Sequence, residues 1–146
     1  MTEFLETNLF GKLTPNDLSD FESANKFELP IDYKNFLVTY NGGRPVKNHL
    51  PKPSTDVNWL YGMHEGPDWA NLFWALNCYN GRLPSWYIPI GYDSAGNLFI
   101  MSMFEKNKGT IAVWDHENEA KGDAHQYFNN MTFVANSFSE FINSLV

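Results

Sequence analysis

The spacing of apolar side chains changes period repeatedly along this chain, and each change marks a different element. Thr14-Pro15-Asn16-Asp17 supplies a capping hydroxyl, a proline for the first helical position and an acid at the third. Leu18, Phe21 and Ala24 follow at helical spacing, with Glu22 facing outward. A second helix opens at Pro30, where Tyr33, Phe36, Leu37 and Tyr40 fall at i, i+3, i+4 and i+7 and Asn41-Gly42-Gly43 closes the run. Residues 57–63 alternate as a short strand does, with Val57, Trp59 and Tyr61 on one face and Asn58, Leu60 and Gly62 on the other. Residues 68–79 return to a helical period through Trp69, Leu72, Phe73, Leu76 and Tyr79. Three strands are then predicted at 87–92, 97–103 and 110–114, joined by the turns Asp93-Ser94-Ala95-Gly96 and Lys106-Asn107-Lys108-Gly109. A last stripe of Val134, Phe138, Phe141, Ile142 and Leu145 predicts a closing helix. Helices at both ends around consecutive strands predict a single α+β domain, its sheet mainly antiparallel and flanked by N-terminal and C-terminal helices.

Composition supports a packed core. Of 146 residues, 43% are hydrophobic and 16% aromatic, which is ample for one domain and argues against disorder. Seventeen acidic side chains face ten basic ones, a formal charge of −7 that repels nucleic-acid phosphate and attracts a basic protein. The opening Met-Thr-Glu-Phe-Leu-Glu-Thr-Asn lacks the basic and apolar regions of a signal peptide, and no run approaches the ~20 apolar residues that cross a bilayer. A cytoplasmic protein without a membrane segment is therefore expected. The lone cysteine, Cys78, has no basic neighbour in sequence and reads as a buried, inert thiol.

The candidate chemistry is thin. His49, His64, His116 and His125 form no HxH, HxxH or HExxH pair, and Cys78 has no CxxC partner, so no metal or cofactor is expected. Asp93 and Asn97 faintly suggest a calcium loop, but the 12-residue pattern and its terminal Glu are missing, and a turn explains them better. Dinucleotide, P-loop and hydrolase-elbow motifs are missing too. Asp115-His116-Glu117 sets carboxylates beside an imidazole, yet adjacent residues at a strand end point apart and make a poor acid–base dyad. No catalytic residue is assigned, and the chain is not expected to be an enzyme.

Four motifs in order carry a resemblance. Glu22, then Leu29-Pro30-Ile31-Asp32-Tyr33-Lys34-Asn35-Phe36-Leu37 and Asn41-Gly42-Gly43, resemble the opening of the SUKH superfamily. Ile88-Pro89-Ile90-Gly91-Tyr92-Asp93-Ser94-Ala95-Gly96-Asn97 resembles its strand–turn, Gly109 through Trp114 and Asp115 its following strand, and Ser137-Phe138-Ser139-Glu140-Phe141-Ile142 its last helix. Two positions depart from the pattern. Lys26 stands where a glycine usually ends the first helix, which points to Asn25 as the left-handed residue, and Ser102 stands where an aspartate is common. The resemblance implies residues 1–146 as one SUKH-like domain with its motif-bearing core over about 14–145. It also implies protein binding without catalysis, foremost as an immunity protein that neutralises a cognate toxin, possibly a nuclease. The alternative is a scaffold or regulator of endogenous partners, as in fungal cell-wall assembly. A small-molecule-binding or enzymatic variant ranks below both.

Two groups form the candidate partner surface. Asp115, Glu117, Glu119 and Asp123 crowd the loop after the third predicted strand, opposed within it by Lys121 alone. Trp59, Tyr61, Glu65, Asp68 and Trp69 bracket the turn between the middle strand and helix. Acids beside aromatic anchors suit the surface of a basic toxin domain.

Overall fold

The computed structural model describes residues 3–119 and 130–146. Short β1 (Phe4–Leu5) leads to α1 (Pro15–Asn25), where Thr14 and Asp17 form a reciprocal capping box. Helix α2 (Ile31–Tyr40) follows, and Asn41 ends it in the left-handed conformation at φ 44°. Three two-residue strands come next: β2 (Arg44–Pro45) beside β1, then β3 (His49–Leu50) against β4 (Thr55–Asp56). The main sheet is an antiparallel meander in chain order: β5 (Trp59–Leu60), β6 (Tyr87–Tyr92), β7 (Leu98–Ser102), β8 (Ile111–Trp114) and β9 (Met131–Ala135). Helix α3 (Leu72–Cys78) lies between β5 and β6, and α4 (Phe138–Asn143) closes the chain. The architecture is the expected α+β fold.

Alternation along the strands divides the core between the two sheet faces. Phe99, Met101, Ile111 and Val113 pack with Tyr33, Phe36 and Leu37 of α2 and with Phe138 and Phe141 of α4. Leu98, Ile100, Ala112 and Trp114 pack with Leu83 on the opposite face. Tyr33, Phe36 and Leu37 thus share a cluster with Phe99 but not with Trp114. Trp59, Tyr92, Leu98, Trp114 and Met131 stand opposite one another in one row across the sheet, so Trp114 shares its face with Leu98 rather than with Phe99.

Other expectations shift as well. Val57, Trp59, Leu60, Tyr61 and Met63 are all buried, so the alternation over 57–63 has no solvent face, and only Trp59 and Leu60 are strand. The helix expected over 68–79 is a 3-10 turn (Asp68–Ala70) followed by α3, because Asn71 leaves helical geometry and caps Phe73 and Trp74 with its side chain. Its buried residues are Leu72 and Ala75, while Trp69 and Phe73 are exposed. Val134 belongs to β9 rather than to α4. The left-handed residue after α1 is Lys26 itself, at φ 57°, and not Asn25, whose amide bonds the Phe21 carbonyl instead. Glu22 is not outward either, since its Oε2 accepts from the Leu29 N–H at 2.7 Å and lies 3.4 Å from Lys34 Nζ.

Candidate functional site

A groove of about 1210 Å³ opens between α1 and α3. One wall is a single stripe of α1, where Asp17, Asp20, Phe21 and Ala24 follow at i, i+3, i+4 and i+7. The other wall brings Phe73, Leu76 and Asn77 from α3, with Tyr79 just beyond it. The Phe21 and Phe73 rings lie 6.1 Å apart, and Phe27 sits edge-on to Phe21 at 5.7 Å. Lys12, His64 and Glu65 complete one end, with Phe10 packed against His64 at 5.0 Å. Burial holds the His64 imidazole below its usual protonation range, and its Nδ1 accepts from the Gly66 N–H at 2.9 Å. Asp20 and Glu65 have no ion-pair or side-chain hydrogen-bond partner among the described residues.

The partner-surface residues singled out from sequence meet this groove at one described position. Glu65 lines it, and Trp69 stands edge-on to Phe10 at 5.6 Å. Glu65, Asp68 and Trp69 are exposed, the last at 47%. Trp59 and Tyr61 are each only 2% exposed, so they cannot serve as contact residues. Trp59 instead supports Trp69 from beneath at 4.9 Å, and burial pushes the Tyr61 hydroxyl far up.

The acidic loop after β8 is equally divided. Asp115 caps the following 3-10 turn (His116–Asn118), with Oδ1 accepting from the Glu117 N–H at 2.9 Å and Oδ2 from Asn118 at 2.6 Å. The Asn118 bond, followed by that from Glu117, holds its carboxyl below the usual range. Glu119 is paired with Arg82, whose guanidinium lies 4.6 Å over the Tyr79 ring. Glu117 is exposed and free to act on a partner, whereas Asp123 lies outside the described residues. Cys78 is half-buried and not isolated from basic groups, because Arg82 Nη1 approaches its Sγ at 3.7 Å from the turn that follows α3.

The motif residues act structurally. Asn41 is 4% exposed, and its side chain bonds the Gly11 carbonyl and both backbone groups of Met63. Gly42 and Gly43 hold φ 93° and 132°, and a Cβ on either would meet backbone oxygen within 3 Å. Asp93 is 2% exposed and accepts four hydrogen bonds, from Ala95, Asn97 twice and Thr55, so it organises a turn ended by Gly96. Leu29 and Pro30 join α1 to α2, Pro89 and Gly91 flank a register shift in β6, and Gly109 lies in the turn before β8 at φ 91°. The groove itself escaped sequence reading. Its two walls lie some fifty residues apart, and Asp17 and Asp20 look like ordinary solvated acids on an amphipathic helix.

Comparison with known proteins fits this architecture. The SMI1 / KNR4 family (SUKH-1) matches residues 12–144, and the chain belongs to that family. A Bacillus subtilis (strain 168) protein described as "SPbeta prophage-derived uncharacterized protein YokK" is 29% identical over 154 residues, covering 91% of this chain and 74% of the relative. Among the described residues no helix is long and apolar enough to cross a membrane.

Proposed function

We propose that this chain is a non-enzymatic immunity protein of the cytoplasm that neutralises a basic toxin domain by direct binding. The observation that carries the reading is the α1–α3 groove, whose aromatic walls and carboxylate rim offer the apolar centre and charged margin of a protein-recognition surface. Family membership supports it, as does the likeness to a protein from a bacterial prophage. The net charge of −7 raises the rate at which a cationic partner is captured. Glu65, Asp68, Trp69 and Glu117 are exposed members of the candidate surface among the described residues.

The test is co-expression with the protein encoded beside this chain's gene. The expected result is restored growth of cells poisoned by that protein, together with a complex that survives size-exclusion chromatography. Continued poisoning with no complex would overturn the immunity reading. Stable association with a host regulator instead would establish the scaffold alternative.

A further inference from the structure

We propose that the groove between α1 and α3 is the contact site itself, and that it takes a partner segment in which Lys or Arg stands beside aromatic or branched apolar residues. This rests on the protein-binding reading above and adds where binding occurs and what is bound.

Size comes first. At about 1210 Å³ the groove exceeds the roughly 300–1,000 Å³ of small-molecule pockets, and its open, two-walled form suits a length of polypeptide. Charge then selects among polypeptides. Asp17 and Asp20 project from one helix face a single turn apart, and Glu65 stands at the end of the groove, three carboxylates against the Lys12 ammonium. Asp17 also accepts from the Thr14 N–H, whereas Asp20 and Glu65 have no partner among the described residues. With three acids and one ammonium in its lining, the groove favours a basic side chain and repels phosphate or an acidic segment. Aromatic walls add the second requirement. Phe73 is 46% exposed and its ring continues into buried Phe21, giving an apolar neighbour a surface to cover. A guanidinium between the rim acids would also lie against these ring faces, where cation–π attraction adds to the ionic contact.

Two blocked peptides test this, Ac-Ala-Arg-Phe-Leu-Arg-Ala-amide and its counterpart with both arginines replaced by glutamate, each titrated at millimolar concentration into isotope-labelled protein. The arginine peptide is expected to move the amide resonances of Asp20, Phe73, Leu76 and Tyr79, and the glutamate peptide to leave them in place. On the exposed-site double variant Asp20→Lys/Glu65→Lys the arginine peptide should bind roughly tenfold more weakly, while on Glu105→Lys, an exposed acid that does not line the groove, it should bind as to the parent. Equal binding of both peptides, shifts confined to other surfaces, or no shift at all would each overturn the proposal. The toxin assay separates it from the functional reading. Full rescue by Asp20→Lys/Glu65→Lys would remove the groove while leaving the immunity function intact. Failure of the parent to rescue would remove that function and leave the peptide titration to judge the groove.

Discussion

Arg82 and Glu119, 37 residues apart, form a two-pronged ion pair with Nε–Oε1 at 2.7 Å and Nη2–Oε2 at 2.9 Å. The fork geometry fixes both side chains, and the guanidinium rests 4.6 Å above Tyr79 and 5.9 Å from the Trp114 ring centre. One of the crowded loop acids is therefore neutralised by a cation brought from beyond α3. Among the loop's described acids the free charge narrows to Glu117, since Asp115 accepts the hydrogen bonds of a turn.

The pair makes a prediction about acid stability. Hydrogen bonding from Arg82 holds Glu119 below its ordinary value of 4.5. A carboxyl depressed in the folded state contributes stability above its unfolded value and loses it as pH falls through the folded one. Glu119→Gln should therefore be less stable than the parent at neutral pH, by about 1 kcal/mol or less because the pair is partly exposed at 40% and 27%. The gap should close as the solution is acidified below the usual glutamate range. Urea unfolding at a series of pH values measures it, and a gap independent of pH would show that the ionic contact contributes nothing.

Asn41, Gly42 and Gly43 make a second prediction. All three hold positive φ, and the chain reverses there so closely that an added Cβ at Gly42 lies 2.9 Å from the Leu60 carbonyl oxygen and one at Gly43 lies 2.8 Å from that of Leu5. Alanine at either position combines backbone strain with a backbone clash, so each should cost about 2 kcal/mol or more. Wild-type melting temperatures for both variants would show that the reversal tolerates a side chain.

The same reversal shows what was legible in the sequence. A helix period ended by Asn-Gly-Gly has one local explanation, so α2 and its stop were readable, as were the strand–turn around Asp93 and the capping box of α1. The misread features depend on distant partners. Val134 extends the apolar stripe of α4, yet it sits at a register shift in β9 between Phe133 and Ala135, which pair with Ala112 and Ile111, and Ser137 caps α4 only after it. Trp59 and Tyr61 look like anchors until Trp69 stands over the first, Tyr92 meets the second and both are buried. Glu119 looks like part of an acidic run until Arg82 reaches it. Charge and aromaticity are local properties, but exposure is settled by what else folds over the residue.

The division of the core predicts how α2 responds to truncation. Phe36 is 4% exposed and meets Phe138 at 5.0 Å and Phe4 at 5.3 Å, while Leu37 is fully buried in the same cluster. Phe36→Ala should cost about 3–5 kcal/mol and Leu37→Ala about 2–5 kcal/mol. Denaturant unfolding reads both, and a loss under about half a kcal/mol would mean that this face is not core.

Trp59 and Trp69 give the prediction that bears on function, because one contact joins them and burial separates them. Their rings meet edge-on at 4.9 Å, Trp59 almost wholly buried and Trp69 47% exposed. Trp59→Ala leaves a large void beneath the turn and should cost about 3–5 kcal/mol of stability. Trp69→Ala removes a half-exposed ring whose backbone carbonyl still accepts from the Tyr92 hydroxyl at 2.8 Å, so the turn persists and the cost should fall to about 1 kcal/mol. Its effect on binding should be the larger one. An exposed tryptophan beside Glu65, Asp68 and an apolar groove has the chemistry of an interface anchor, and such anchors cost 2 kcal/mol or more when truncated. Surface-based kinetics against the toxin protein should therefore show Trp69→Ala weakened at least tenfold, chiefly through faster dissociation. Glu117→Lys should act differently, slowing association with little change in dissociation and losing that effect in high salt. Unchanged affinity for Trp69→Ala with its fold intact would place the interface away from this turn. An association rate insensitive to Glu117→Lys and to salt would leave the −7 charge with no part in capture.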